Sequence, residues 1–310
     1  MDYSRKISER HWNLPDKGER ESVRETLYID DIVQKSHIER ALLSNLDGIE
    51  TVFDGGGGSG RFSILLAKRG LKVTHFDISQ PMLDKAREIA EREGVSDHIT
   101  FVKGALEDLS AFDERTFDLV MSFDAPISYT YPNQETVIRN LVRLARKKVL
   151  FSVTSRLGSL PYFADPLQKI KFIMDENSDD PWARAMLDHA DAALSRFRFN
   201  KDFCFNGLDT GVFGGEQETL DAYDRGEAPW VITYGFLPDE LAGILDHCGV
   251  KNIRLSGPGA FARTLPREIL MKIFGDERQR ADFLEFCYAF DSQPSVCGIG
   301  KDNLLAAGDI

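Results

Sequence analysis

The chain has no run approaching the roughly 20 consecutive apolar residues that a membrane-spanning helix needs. No apolar stretch follows the polar start Met1-Asp2-Tyr3-Ser4-Arg5-Lys6, so no secretory signal is expected. Cysteine is scarce: Cys204, Cys248, Cys287 and Cys297 form no C-x-x-C pair, and no histidine lies at zinc-ligand spacing from them. These absences argue against a structural metal and against a disulfide framework, and a reducing, cytoplasmic setting is expected. Positive charge is in deficit too, with 38 Lys and Arg against 50 Asp and Glu, a net charge of −12. An acidic surface repels a phosphate backbone, which disfavours duplex DNA; a local basic patch for a structured RNA stays open. Internal repeats, low-complexity tracts and any signal of oligomeric state are also missing.

What remains is 310 residues with 42% hydrophobic content, enough for a real core. One α/β domain with a sizeable insertion fits that length. Residues 1–45 read as an N-terminal helical flank, with Ile38, Ala41, Leu42 and Leu46 at helical spacing. Short apolar runs then alternate with helical patterns. Strands are expected at Thr51 to Phe53, Leu71 to Phe76, Ile99 to Val102, Phe117 to Phe123 and Val149 to Val153. Helix faces lie between them, the second opened by Pro81, where a missing N–H costs nothing. This rhythm predicts a doubly wound, mostly parallel sheet of Rossmann-like type. It breaks after Arg156 and resumes with a helix at Pro238 to Cys248, a strand at Val250 to Leu255, helices over 259–292 and a last strand at Asn303 to Ala307. The core is therefore assigned to residues 46–156 and 236–310, and residues 157–235 to an insertion acting as a substrate-selecting lid. Within the insertion Phe197, Phe199, Phe203 and Phe205 occupy odd positions with polar residues between, a period of two that predicts a strand buried on one face.

The strongest local signal is Asp54-Gly55-Gly56-Gly57-Gly58-Ser59-Gly60, between a strand and a helix. Glycines there let the backbone turn with positive φ and approach a ligand closely. Asp77 closes the second strand, 21 residues after Gly56, where a carboxylate can accept hydrogen bonds from ribose hydroxyls. A dinucleotide would seat its pyrophosphate on the helix N-terminus. Asp54 would repel that group and suits a cationic ligand.

Asp54-x-Gly56-x-Gly58-x-Gly60 resembles motif I of the class I S-adenosylmethionine (SAM)-dependent methyltransferases. Asp77-Ile78-Ser79 with Met82, Gly104 to Leu109, and Phe117 to Val120 extend the resemblance over roughly residues 50–155. It implies SAM as cofactor, held by Asp54, Gly55, Gly56, Gly58, Gly60, Asp77, Ile78, Met82, Leu106 and Phe123. Family members often carry an acid directly after the adenine-side glycine. Ala105 stands there in this chain, so either Glu107 or Asp108 supplies the acceptor, or backbone and water do. A narrower likeness, in Gly55 to Gly58, Ala67 to Gly70 and Gly94 to Asp97, is to bacterial methyltransferases that esterify a carboxylate on a tRNA wobble uridine.

Methyl transfer needs the acceptor held in line, with a base only when the acceptor carries a proton. The loop Asp124 to Pro132 follows the fourth strand and resembles the D-P-P-Y loop of amine methylators, departing at Ala125 and Ile127. Asp124 and Tyr129 are the catalytic candidates. Arg156, Tyr131, His11 and Trp12 are the substrate-binding candidates, Arg156 through paired hydrogen bonds to a carboxylate. The implied activity is transfer to an N, O or carboxylate acceptor on a small molecule. A tRNA substrate and a non-catalytic SAM-binding protein are the alternatives.

Overall fold

The computed structural model describes residues 3–165, 167–177, 179–300 and 303–310. Helices α1 (Tyr3–Trp12), α2 (Lys17–Leu27) and α3 (Ile29–Leu43) precede the sheet. The alternating stretch then folds as β1 (Thr51–Gly55), α4 (Arg61–Ala67), β2 (Lys72–Asp77), α5 (Gln80–Arg92), β3 (Ile99–Lys103), β4 (Phe117–Ser122), α6 (Gln134–Leu144) and β5 (Ala145–Thr154). Residues 156–234 supply α7 (Arg156–Ala164), α8 (Pro181–Asp188), α9 (Ala190–Arg196), α10 (Lys201–Thr210), β6 (Val212–Phe213), α11 (Gln217–Asp224) and β7 (Thr233–Tyr234). The chain ends through α12 (Pro238–His247), β8 (Lys251–Ser256), α13 (Arg267–Phe274), α14 (Glu277–Asp291) and β9 (Asn303–Asp309).

Seven strands form one sheet in the order β3-β2-β1-β4-β5-β9-β8. Strands β1 to β5 are parallel, and β9 runs antiparallel to both β5 and β8. Successive strand residues point to opposite faces, and the sequence uses this. Phe53, Val120 and Phe151 pack with Ile138, Leu141, Leu241 and Leu245 on one face. Val52, Leu119 and Leu150 pack with Ile38, Leu42 and Leu66 on the other. The strand order reverses between β1 and β4, which opens a crevice at their carboxyl ends.

The aromatic stretch in the insertion is not a strand. Phe203 and Phe205 lie in α10, while Phe197 and Phe199 precede it outside any regular element. Asn200 decides the outcome locally: its side chain accepts a hydrogen bond from Phe203 N at 3.0 Å and caps the helix. Phe197, Phe199 and Phe205 are exposed, so the alternation never becomes a buried face. Among the described residues the insertion is mainly helical, with β6 and β7 as its one two-stranded piece.

Asp118 fixes β4 against the start of β1. One carboxylate oxygen accepts from Glu50 N at 3.0 Å and Thr51 N at 3.2 Å. The other meets Lys147 at 3.0 Å and Arg146 at 3.3 Å. Burial opposes its charge, but these donors prevail and hold its pKa below the usual aspartate range. A lowered carboxyl pKa adds stability that is complete above the unfolded value and is lost as pH falls through the folded one. Asp118→Ala is expected to cost about 1–3 kcal/mol, because two amides lose their acceptor. Urea melts at neutral pH check the cost, and the wild-type margin over the variant is expected to shrink in acid.

Candidate active site

At the end of β1 the chain reverses over the crevice. Gly56 N and Gly57 N both donate to Phe76 O, at 2.7 and 3.2 Å. Gly58 N donates to one oxygen of Asp77 at 2.9 Å, and Ser79 N to the other at 2.8 Å. Gly56 has φ +74°, and a Cβ there would sit 2.4 Å from Pro126. Only glycine passes between the strand end and the loop after β4. Beneath the turn, Ser63 Oγ donates to Asp54 at 2.6 Å and lies 2.9 Å from His75 Nδ1. His75 Nε2 in turn donates to Gly58 O at 3.1 Å. Burial raises the Asp77 carboxyl above its usual range.

A cavity of about 520 Å³ runs from this turn across the sheet edge. Asp54, Gly56, Gly58, Asp77, Ile78, Met82, Leu106, Glu107 and Phe123 all line it. These residues fit the cofactor that the motif implies: a bare-backbone turn next to a carboxylate, with apolar walls from Ile78, Met82 and Leu106. Gly55 and Gly60 lie outside the lining. Gly60, at φ +89°, lets α4 pass close to Ala86. Of the two candidate adenine acceptors, Glu107 faces the cavity. Asp108 turns to solvent and accepts from Ser110 Oγ at 2.7 Å.

Asp124 and Tyr129 also line the cavity, from the loop after β4. Asp124 and Ala125 have φ of +64° and +68°. Neither is glycine, so the loop holds a strained backbone, of the kind that persists where surroundings impose it. Ser152 Oγ accepts from Asp124 N at 2.8 Å and fixes the turn. The Asp124 carboxylate lies 3.8 Å from Lys35 Nζ.

The other candidates divide. Trp12 lines the cavity and packs on Tyr129 with ring centroids 5.8 Å apart; its carbonyl accepts from Ser79 Oγ at 2.6 Å. His11 stands behind it, buried, with Nε2 2.9 Å from Lys17 Nζ. Burial and that ammonium push its pKa down to about 4, so the ring is neutral at physiological pH. Tyr131 faces away and stacks on Tyr234 at 6.0 Å. Arg156 is outside the lining as well. Its guanidinium donates to Gly235 O at 2.9 Å, Tyr234 Oη at 3.1 Å and Glu240 at 2.9 Å, which clamps β7 and α12 to the start of α7. That clamp holds the guanidinium outside the cavity lining.

Several lining residues carry no site motif in the sequence pattern: Arg20, Arg24, Tyr28, Gln34, Lys35, Ser159, Lys169, Trp182 and Asn303, the last expected only as a strand residue. One signal was available. Helix α3 carries Asp30, Asp31, Gln34 and Lys35 among apolar residues, and all four are buried. Buried charges in a core helix are costly unless paired, and so mark a site. Arg24 donates to Asp31 at 2.7 Å and to Glu21 at 2.8 Å. Lys169 donates to Asp30 at 3.1 Å. No group of three or more His, Cys, Asp or Glu among the described residues could hold a metal ion, and no described helix is long and apolar enough to cross a membrane.

Residues 52–148 match a family model described as a methyltransferase domain. The chain is 40% identical over 70 residues to the tRNA 5-carboxymethoxyuridine methyltransferase of Escherichia coli (strain K12), which covers 23% of this chain and 27% of that protein. It is 32% identical over 114 residues to the sarcosine/dimethylglycine N-methyltransferase of Halorhodospira halochloris, covering 37% and 36%. The chain thus spans about a quarter to a third of the length of these curated relatives. A solved SAM-dependent methyltransferase from Mesorhizobium loti aligns over 87% of this chain and 95% of its own, with TM-score 0.48 and 17% identity.

Gly56→Ala is expected to weaken S-adenosylhomocysteine binding by at least about tenfold, or 1.4 kcal/mol. Calorimetry on the folded variant checks this. Unchanged affinity would mean that the turn is not the cofactor cradle.

Proposed function

We propose that this chain, whose core is a class I SAM-dependent methyltransferase domain, moves the SAM methyl group to a small molecule enclosed beside the cofactor. One observation carries the reading. The glycine turn and Asp77 line the same cavity as Asp124, Tyr129, Thr154 and Asn303, so cofactor and acceptor would share one cavity. Its volume of about 520 Å³ lies in the range of roughly 300–1,000 Å³ typical of small-ligand pockets. SAM, if held by these residues, would supply an electrophilic methyl whose bond to sulfur breaks as the acceptor's bond to it forms, with S-adenosylhomocysteine as the leaving group.

The chain's own part is positioning. Asp77 accepts from the ribose, Glu107 from the adenine amine, and Leu106 packs on the base. Asp54 gives the turn a negative base that suits the cofactor's ammonium. Asp124, held in a strained loop and next to Lys35, orients the acceptor. It takes a proton only if the acceptor is an amine or hydroxyl. Trp12 and Tyr129 wall the methyl path and keep water out. Helices from the first 45 residues and from the insertion supply the acceptor side and set selectivity.

A tRNA substrate is the second reading. The 40% identity to a tRNA methyltransferase over 70 residues favours it, and the net charge of −12 opposes it.

The test has two stages. SAM and S-adenosylhomocysteine are expected to bind by calorimetry and NAD is not; binding of NAD alone would end the proposal. Radiolabelled SAM is then supplied with a small-metabolite extract and, separately, with bulk tRNA. Label in the small molecules supports the reading, label in tRNA replaces it, and bound SAM without turnover points to a non-catalytic binder. Once an acceptor is known, Asp124→Asn is expected to lower kcat/KM by about tenfold or more while leaving S-adenosylhomocysteine affinity unchanged.

A further inference from the structure

The chain is strongly acidic, yet the acceptor side of the cavity is lined by Lys17, Arg20, Arg24, Lys35 and Lys169 against Glu21 and Asp124. The acids that pair with several of these cations are not in the lining. Asp31 backs Arg24, Asp30 backs Lys169, and Glu25 stands 3.5 Å from Lys35. Asp30 and Asp31 are almost fully buried. Asp30, Asp31 and Glu25 thus stand behind the cations, while Glu21 and Asp124 share the cavity wall with Arg24 and Lys35. Such backing fixes side chains that would otherwise lose much conformational freedom on meeting a ligand. A lysine ammonium carries three donors and a guanidinium five, so pairing with a backing acid does not exhaust either group.

The aromatic surfaces point the same way. Trp12, Trp182 and Trp230 all line the cavity, and the Lys17 ammonium lies 5.3, 5.4 and 5.9 Å from their ring centroids. Arg20 stacks on Trp182 at 3.8 Å. The faces that would attract a ligand's ammonium therefore already hold the protein's own cations. A positively charged acceptor would meet repulsion there, and an anion would not.

Two polar atoms give the deeper end its character. Ser159 Oγ and Asn303 Oδ1 are buried and have no hydrogen-bond partner among the described residues. Both residues line the cavity, and both are more than nine-tenths buried. Asn303 pairs with Thr154 across β5 and β9, at the sheet edge that carries the methyl site. Its Nδ2 donates to Gln34 Oε1 at 3.1 Å, which orients the carboxamide and leaves the oxygen as an acceptor. Orphaned acceptors of this kind call for a ligand or water to satisfy them.

From these observations we infer that the acceptor is a compact oxyanion, a carboxylate or phosphate, that also carries a hydrogen-bond donor. The anion lies against Lys35, Arg24 and Lys169, and the donor reaches Asn303 Oδ1 with Ser159 Oγ beside it. This deepens the proposed function and rests on it, since the same cavity must serve methyl transfer.

The chain's three tryptophans are Trp12, Trp182 and Trp230, so its tryptophan fluorescence reports on this cavity alone. Protein saturated with S-adenosylhomocysteine is titrated with four probes: mandelate, phenylacetate, phenyl phosphate and 2-phenylethanol. The oxyanions are expected to bind saturably and at least about tenfold tighter than neutral 2-phenylethanol, with mandelate tighter than phenylacetate. A tighter phenyl phosphate would identify the anion as a phosphate, a tighter phenylacetate as a carboxylate. Lys35→Met should cut the preference for charge at least severalfold, the remainder resting on Arg24 and Lys169. Ser159→Ala loses no partner among the described residues and should fold normally; it should narrow mandelate's margin over phenylacetate, leaving the part due to Asn303 Oδ1, and leave phenylacetate unaffected. If Lys35→Met does not fold, the wild-type series and Ser159→Ala decide the matter. Binding of 2-phenylethanol as tight as the anions, or no binding of any probe, overturns the inference while the cofactor reading stands. Failure to bind S-adenosylhomocysteine instead removes the proposed function beneath it.

Discussion

The cofactor half of the site depends on one carbonyl and one carboxylate at the end of β2. Phe76 O accepts the amides of Gly56 and Gly57, and Asp77 accepts that of Gly58. Together they pin the glycine turn above the crevice where the strand order reverses. Three successive amides that would otherwise need water are satisfied by the neighbouring strand. Asp77, the proposed ribose acceptor, and the glycine turn are thereby built as one unit, and neither can shift without the other. Pro126 closes the arrangement from the β4 side, at a distance that admits no side chain on Gly56. Its neighbours Asp124 and Ala125 carry the accompanying strain, which brings the acceptor-side carboxylate to the same crevice.

A different principle organises the acceptor half. Its cations come from α2, α3 and the insertion, none of which belongs to the alternating strand-helix core. Burying a charge without a partner is costly, and each of these cations has a backing acid or an aromatic face. A buried pair gains little net stability over apolar packing, so its presence in a cavity wall is better explained by orientation than by folding energy. The same logic covers His11, which stays neutral next to Lys17 and so adds no second positive charge beneath the tryptophans.

Legibility in the sequence followed chain distance. The sheet was readable because each strand is a short run ending at a turn residue. The glycine turn and Asp77 were readable because a single local pattern holds both. Asp124 and Tyr129 reach the cavity lining from the loop directly after β4. Arg156 was misleading for a physical reason: its position after β5 is at the right sheet edge, but Glu240 and Tyr234, some eighty residues away, draw its guanidinium elsewhere. The aromatic alternation near Phe199 failed because a capping side chain, Asn200, started a helix inside it. Lys35, Lys169, Ser159 and Asn303 are brought together only by the fold, so no window of sequence shows them as a group. Only the misplaced charges of α3 hinted at their surroundings.

Cofactor and acceptor are proposed to meet in one cavity, with the cofactor's methyl-bearing sulfur on the side of Asp124. A crystal structure of the complex with S-adenosylhomocysteine tests it most directly. The prediction is a ribose on Asp77, an adenine beside Leu106 and Glu107, and a sulfur facing open space bounded by Asp124, Tyr129 and Lys35. A sulfur turned from that space, or a homocysteine tail filling it among the cations, would contradict the account.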